Sequence, residues 1–431
     1  MVAGMQERCK PPSARDAAAS SGILDRQHVD WRNNDTPTTT ERSRNWQVDF
    51  HAVPGGVVKP AALHITTRQA RDFALMRGGI SQPFDEPLAA VHAMIAVQAQ
   101  YAASIPFAIH ARCPSAPNGW TEQALLTQRS LIKTWCLRGT LHALAADDLA
   151  LLTGAFVGYH HSVERVVLKM SGIDAAAWHA IKQETMQALA PGPLDRSALH
   201  AAVPGLRNVP WIGWGEDVKD LAYQGELLMV GSKGARPVFA RRDTWLPGLD
   251  FRPRSTAEAH EELLIRYLHA FAPATLADIT HWSGLPNAAL RAVIRRSASL
   301  FVTVTMNGTE RPLIALAEDE DVLTGPLPDV PQVSILPKFD ALMLAWIDPS
   351  RMLDGRDHAA VFRPAGQIEA IVLLQGEAAA TWRVTRAATT AGFTAAPLRN
   401  IGTRARKQVT TEFERLGAWL GARNTTVTWS N

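Results

Sequence analysis

Between Glu258 and Leu316 the spacing of apolar residues changes period, and that change restricts the fold more than any other feature of the chain. Leu263, Leu264, Tyr267, Leu268 and Phe271 recur at helical spacing. Thr275 and Asp278 then stand three apart, the separation at which a hydroxyl and a carboxylate satisfy two unpaired N–H groups and open a second helix. Gly284 suits the left-handed stop of that helix, and Pro286 the first turn of a third, which runs through Arg296. From Phe301 the pattern is strand-like, over Phe301–Met306 and Thr309–Leu316, with Asn307-Gly308 between them as a pair that accepts the positive φ angles of a tight hairpin. Three helices followed by a hairpin make a winged helix, whose third helix commonly enters the DNA major groove. Arg291 and Arg295, four apart on that helix, share a face suited to phosphate contact; the alternative is a solvated basic face.

A similar order is expected elsewhere. Thr67 with Ala70, Phe73 and Ala74 opens a helix. Asp85 is a good cap for the next, with Pro87 in its first turn and Leu88, Val91 and Ile95 as a buried stripe. If that helix ran straight on, Gln98 would continue the stripe and Gln100 would point about 200° away around the axis. The two amides share a site only if the chain loosens near Val97 and runs extended, because alternate residues of an extended chain share a face. The sequence predicts that break.

Leu125, Leu126, Leu131 and Ile132 predict another helix, followed by a strand from Trp135. Trp135, Leu137, Leu141 and Ala143 fall on one face of that strand and Arg138, Thr140 and His142 on the other, a polar face suited to phosphate or simply solvated. These elements form a first winged-helix unit over residues 64–160. Residues 190–250 form a second, with Asp195 or Ser197 as a cap, a helix over Glu216–Leu228, and strands over Leu227–Val230 and Pro237–Ala240 around Gly231-Ser232-Lys233-Gly234. Residues 255–320 form the third.

Residues 330–425 read as a β-rich segment and final helix. Val361-Phe362-Arg363 precedes a Pro364-Ala365-Gly366 turn, Ile371–Leu374 pairs with Ala378–Val384, and the helix covers about Val409–Leu420. Arg399, Arg404, Arg406 and Lys407 beside that helix are the densest basic cluster, a nucleic-acid contact or a solubilising feature. The fold class is therefore α+β, with tandem winged-helix units and a C-terminal β-rich segment.

With 431 residues, 46 % hydrophobic and 20 % charged, the chain suffices for two or three compact units. A net charge of +3 is too small to require nucleic acid, so local charge placement matters more than the total. Three scattered cysteines, Cys9, Cys113 and Cys136, exclude a disulfide framework or zinc site and fit a reducing cytoplasm; no metal or cofactor is implied. No apolar run approaches the roughly 18 residues of a membrane span. Residues 1 to 60, rich in Ser, Thr, Asn, Asp, Arg and Pro, read as a disordered extension or an over-extended start.

Several segments together carry a family resemblance. They are Val97-Gln98-Ala99-Gln100; Lys133-Thr134-Trp135 through Arg138-Gly139-Thr140-Leu141-His142; Arg266-Tyr267-Leu268 with Pro273-Ala274-Thr275, Asp278 and Trp282; Leu336-Pro337-Lys338-Phe339-Asp340; and Gly376 through Thr381-Trp382-Arg383. The chain resembles, over residues 64 to 415, the winged-helix DNA-binding family that contains the alkylpurine DNA glycosylases, including enzymes that unhook azinomycin interstrand crosslinks. That family's catalytic motif, Gln-any-Gln, falls on Gln98 and Gln100; a related branch has Asp as the second member. Ala272 stands where Gly is common and Ile279 where Phe is common, and the first 60 residues have no counterpart.

The resemblance implies a monofunctional glycosylase acting, as a monomer and without cofactor, on duplex DNA with alkylated purines. A purine alkylated at N7 is cationic and leaves without a general acid, so the remaining tasks are to stabilise an oxocarbenium-like sugar and place a water, which neutral amides can do. Gln98 and Gln100 would hold that water, and Arg138, Thr140 and His142 would grip the DNA. The competing reading is a non-catalytic winged-helix regulator, which needs neither glutamine, although no coiled-coil heptads or effector domain are evident. A small-molecule hydrolase lacks a Gly-x-Ser-x-Gly elbow, a His-Glu-x-x-His motif and a phosphate-binding glycine loop.

Overall fold

A computed structural model describes residues 59–209, 215–234, 236–309 and 311–430; apart from its last two positions, the extension expected over residues 1 to 60 lies outside them. Strand β1 (Lys59–Ile65) leads into helix α1 (Thr67–Arg77), which Thr66 and Gln69 open with a reciprocal capping box. Helix α2 (Pro87–Met94) has Pro87 at its first position, but its N-cap is Glu86 rather than Asp85, and no side chain caps it. Strand β2 (Val97–Gln98) and helices α3 (Ser104–His110) and α4 (Trp120–Leu126) follow. The helix expected to reach Ile132 ends at Leu126; Arg129 turns the chain with φ 56°, and Leu131 and Ile132 are buried in strand β3 (Leu131–Trp135). Strand β4 (Leu141–Ala145) returns antiparallel to β3.

Helices α5 (Leu149–Phe156), α6 (Tyr159–Ser171) and α7 (Ala175–Ala188) come next, a stretch to which the sequence reading assigns no elements. Asp195 ends strand β5 (Leu194–Asp195) and caps α8 (Arg196–Ala202), accepting from the Ala198 N–H. Helix α9 (Glu216–Tyr223) stops before Leu227, because Gly225 turns the chain with φ 70° and Leu227 and Leu228 enter strand β6 (Leu227–Lys233). Strand β7 (Arg236–Arg241) completes a hairpin with β6. The hairpins expected for the first and second units belong to a single six-stranded sheet, in the order β2-β4-β3-β6-β7-β5, joined where Lys133 faces Met229.

Residues 256–316 follow the expected order. Helix α10 (Thr256–Phe271) precedes α11 (Leu276–Ser283), which opens with the Thr275–Asp278 capping box and closes at Gly284 with φ 82°. Helix α12 (Asn287–Arg296) begins directly after Pro286. Strands β8 (Phe301–Met306) and β9 (Leu313–Leu316) pair antiparallel, although the turn is wider than Asn307-Gly308 alone, since β9 begins at Leu313 rather than Thr309. The unexpected partner is β1, which runs parallel to β8 and gives the sheet order β1-β8-β9. Such a pairing joins segments far apart in sequence, so no local pattern announces it. Tyr267, Phe271, Trp282 and Trp346 pack their rings together beneath these helices.

The C-terminal sheet has the order β10-β13-β14-β15-β16, from strands β10 (Val333–Leu336), β13 (Ala370–Leu374), β14 (Glu377–Ala387), β15 (Thr390–Pro397) and β16 (Asn424–Trp429). The short pair β11 (Phe362–Arg363) and β12 (Gln367–Ile368) flanks the expected Pro364-Ala365-Gly366 turn. Helix α13 (Thr403–Trp419) packs Val409, Phe413 and Leu416 into the core, with Phe413 stacked on Phe393. It starts six residues earlier than the expected Val409, so Arg404, Arg406 and Lys407 lie in its first turns. Cys113 and Cys136 are buried and unbridged, and no described helix is long and apolar enough to cross a membrane.

Candidate active site

Ile95 ends α2 with a positive φ of 65° and ψ −49°, in a tight turn closed by the Ala96 N–H donating to the Met94 carbonyl at 2.7 Å, and the chain becomes extended at the point where the amide argument requires it. Val97 and Gln98 pair with Ala143 and His142 of β4, and the Ala99 N–H donates to the Leu141 carbonyl at 2.8 Å. Gln98 and Gln100 then leave the same side of the strand: the Gln98 Nε2 donates to the Gln100 Oε1 at 2.9 Å. Gln98 is 7 % exposed, whereas Gln100 is open to solvent. One amide is therefore anchored and the other presented.

The strand expected to carry Arg138, Thr140 and His142 on a polar outer face is instead a hairpin. After β3 ends at Trp135, Leu137–Gly139 form a single tight turn in which Arg138 has φ 54°, and β4 starts only at Leu141. The turn closes on itself through Gly139 N–H to Cys136 O at 2.9 Å and Thr140 N–H to Leu137 O at 3.0 Å. The Thr140 hydroxyl donates to the Leu137 carbonyl at 3.1 Å. His142 is 1 % exposed and faces the sheet interior, its Nδ1–H donating to the Thr140 carbonyl at 2.9 Å. Burial, helped by the nearby Arg138 cation, holds the His142 imidazole down to about 3, so it is neutral, and its ring is shielded from solvent.

Arg138 also points inward. Its Nη2 donates to the Gln98 Oε1 at 3.2 Å, and its Nη1 donates to the Trp282 carbonyl at the end of α11. Burial lowers its guanidinium to about 10, which leaves it charged at neutral pH. Gly284 explains the close approach of α11: a Cβ there would lie 3.1 Å from the Arg138 Cα, and its φ of 82° is one that side chains rarely adopt. Tyr159 seals the other side by donating its hydroxyl to the Gly284 carbonyl.

Tyr101, 51 % exposed, follows Gln100 directly, and the Lys338 ammonium lies 5.9 Å from its ring centroid. Lys338 also pairs with Glu369 at 2.9 Å. It belongs to the Leu336–Asp340 loop, whose end is fixed by a fully buried ion pair: Asp340 accepts from both terminal nitrogens of Arg112, at 2.7 and 2.8 Å. Sequence reasoning selected this loop as a motif and missed its position beside Tyr101. It also missed Trp282 as a partner of Arg138, because the contact is to a carbonyl 144 residues away.

Arg291 and Arg295 lie on α12, Arg295 exposed and Arg291 partly buried, and among the described residues no hydrogen bond or ion pair ties either to the glutamines. Neighbouring Arg296 is engaged by Glu261 at 2.9 Å. Within the C-terminal basic cluster, Arg399 pairs with Glu377 at 3.1 Å and Arg406 lies over the Trp429 ring, while Arg404 and Lys407 line a groove of about 400 Å³ with Gln332 and Arg415. Among the described residues, His92, Asp147 and Asp148, and His160, His161 and Glu164, cluster closely enough to hold a metal ion. Neither group includes a glutamine of the pair, and Arg266 already engages Asp148.

Two desolvated histidines predict acid lability. His110, half-buried and stacked on Trp419, is held down to about 4 by desolvation, and the buried His142 to about 3, both below the ordinary value of 6.5. The unfolded chain takes up protons that the folded chain refuses, so their contribution is intact above pH 6.5 and is lost as pH falls towards 4. Thermal unfolding should show the midpoint falling across that window. In His142→Asn, whose amide N–H can still donate to the Thr140 carbonyl, the fall should be shallower.

The sequence model described as DNA glycosylase AlkZ-like matches residues 91–419, from within α2 to the end of α13. A curated interstrand DNA cross-link repair glycosylase from Streptomyces sahachiroi is 23 % identical over 285 residues, which is 63 % of this chain and 75 % of that protein. The solved structure of the Streptomyces sahachiroi DNA glycosylase AlkZ superposes with a TM-score of 0.74 at 20 % identity, covering 85 % of this chain and 100 % of that one. With a family match that spans most of the described residues and includes both amides, the chain belongs to the AlkZ-like DNA glycosylases.

Proposed function

We propose that the protein is a monofunctional glycosylase that hydrolyses the N-glycosidic bond of N7-alkylated purines in duplex DNA, acting as a monomer. One observation carries this reading: two neutral amides are hydrogen-bonded to each other, one buried and anchored, the other open to solvent. Because the Gln98 oxygen is engaged by Arg138 and its nitrogen by Gln100, the water falls to Gln100, through its second oxygen lone pair and its free N–H groups. The water oxygen bonds to C1′ as the C1′–N9 bond breaks. The electron pair of that bond passes to the purine and cancels its charge, and the water proton leaves to solvent.

No carboxylate stands in the motif, which supports selectivity: a neutral purine is a poor leaving group, and undamaged guanine should stay intact. Interstrand crosslinks through purine N7 atoms extend the same chemistry to two strands, in line with the name of the curated relative. Helices α10, α11 and α12 with the β8–β9 hairpin support a winged-helix reading, in which Arg291 and Arg295 would meet phosphates. Thr140 and His142 are better placed as the floor of the site than as a grip on DNA. Membership of a glycosylase family sets aside the regulator reading.

The test is a duplex with one N7-methylguanine, incubated with purified protein in EDTA and without nucleotide. Free base and an abasic site should appear, with no strand scission, and binding should weaken steeply with salt and show little sequence preference. Intact N7-methylguanine after prolonged incubation would overturn this substrate assignment.

A further inference from the structure

We infer that Arg138 is a positioning residue: its guanidinium determines which way both amides of the Gln98–Gln100 pair face, and so where the attacking water sits. The inference rests on the glycosylase reading above and reverses the DNA-gripping role expected for Arg138 from sequence.

A guanidinium has donors and no acceptor. At 3.2 Å from Arg138, the Gln98 amide must present its oxygen to that group. Its nitrogen then faces the other way, where it donates to the Gln100 oxygen at 2.9 Å. Rotating the Gln98 amide by half a turn would set NH2 against guanidinium and oxygen against oxygen, so one cation selects one orientation of two side chains. Without it, both amides can flip as a pair, and the lone pair that Gln100 offers to water becomes an N–H.

The anchor is held from several sides. Arg138 sits in the left-handed region with φ 54°, which strains a residue carrying a Cβ and persists only where the surroundings enforce it. The second arm of its fork is taken by the Trp282 carbonyl, and Gly284 brings the α11 backbone against its Cα. A planar fork can serve a carbonyl and an amide oxygen at once, whereas a lysine ammonium on a single stem would not reproduce both bonds in that geometry. With both arms engaged inward, Arg138 is committed to the amide pair and the Trp282 carbonyl rather than extended towards phosphate.

Single-turnover release from the N7-methylguanine duplex separates rate from binding in wild type, Arg138→Met and Arg138→Lys. The rate of Arg138→Met should fall on the order of 10²-fold through misplacement of the water. Its half-saturating DNA concentration should stay within about twofold of wild type, the pattern of an interaction lost only in the transition state. The salt slope of binding should not change. A lost phosphate contact would instead reduce that slope by about 1 and weaken binding at every sequence, and that result, or an unchanged rate, overturns the inference while leaving the glycosylase reading intact. Should Arg138→Met not fold, Arg138→Lys carries the rate comparison, since it keeps the charge and loses the fork: its rate should fall, whereas a residue acting only as a cation towards phosphate would keep its rate. If the wild type releases no base, both readings fall together.

Discussion

Gln100→Ala should reduce base release from an N7-methylguanine duplex by roughly 10² to 10³-fold, with duplex affinity almost unchanged, because in the proposed mechanism the residue removed holds the nucleophile rather than the DNA. Gln100 is exposed and is held through the bond it accepts from Gln98, so its removal leaves no cavity in the sheet. Gln98→Ala should lose a comparable amount of activity together with some stability, since that side chain is buried and accepts from the Arg138 cation. Single-turnover kinetics and thermal unfolding on the same preparations distinguish the two variants. Neither amide titrates, so the rate should be flat from about pH 6 to 9, without the bell shape of an acid–base pair. Activity retained in Gln100→Ala would remove the amide from the water-holding role.

Asp340→Ala should destabilise the folded chain by about 3 to 5 kcal/mol, the usual cost of stranding one member of a buried ion pair. The Arg112 guanidinium would be left in a site where both side chains are shielded from solvent. The second consequence is local. Asp340 also accepts from the Leu342 N–H at 3.0 Å, so it ties the end of the Leu336–Asp340 loop and thereby the placement of Lys338 near Tyr101. Denaturant titration should give the loss in stability. Asp340→Asn, which keeps the shape and one acceptor, should lose less; equal stability of all three proteins would show that the pair contributes nothing.

Much of this molecule is legible where physics is local. The Thr275–Asp278 box, the stop at Gly284 and the start after Pro286 are sequence-neighbour effects, and each appears where expected. The convergence of Gln98 and Gln100 was also a local deduction, from the impossibility of sharing a helix face. The single strand expected around Arg138 is absent for the opposite reason. Alternation around residues 135–143 continues across the Leu137–Gly139 turn, so a hairpin imitates one strand, and the two faces assigned to it do not exist. The destination of its guanidinium depends on Trp282, in another helix and far along the chain. Several segments that carry the resemblance are internal ties of the fold: the Tyr267 hydroxyl donates to the Ala345 carbonyl at 2.7 Å, and the Trp382 indole to the Leu336 carbonyl at 2.8 Å.

The parallel pairing of β1 with β8 bears on where the chain can be cut. The family match begins at residue 91 and the first 60 residues invite removal, so a shortened protein would naturally start near Thr66. That start deletes β1 and turns β8 from the middle strand of three into an open edge, with the backbone of Phe301–Met306 unpaired along one side. An uncovered edge recruits other chains. The useful boundary therefore lies before Lys59, and a protein trimmed past it would be judged insoluble for the loss of seven residues distant from the glutamines in sequence.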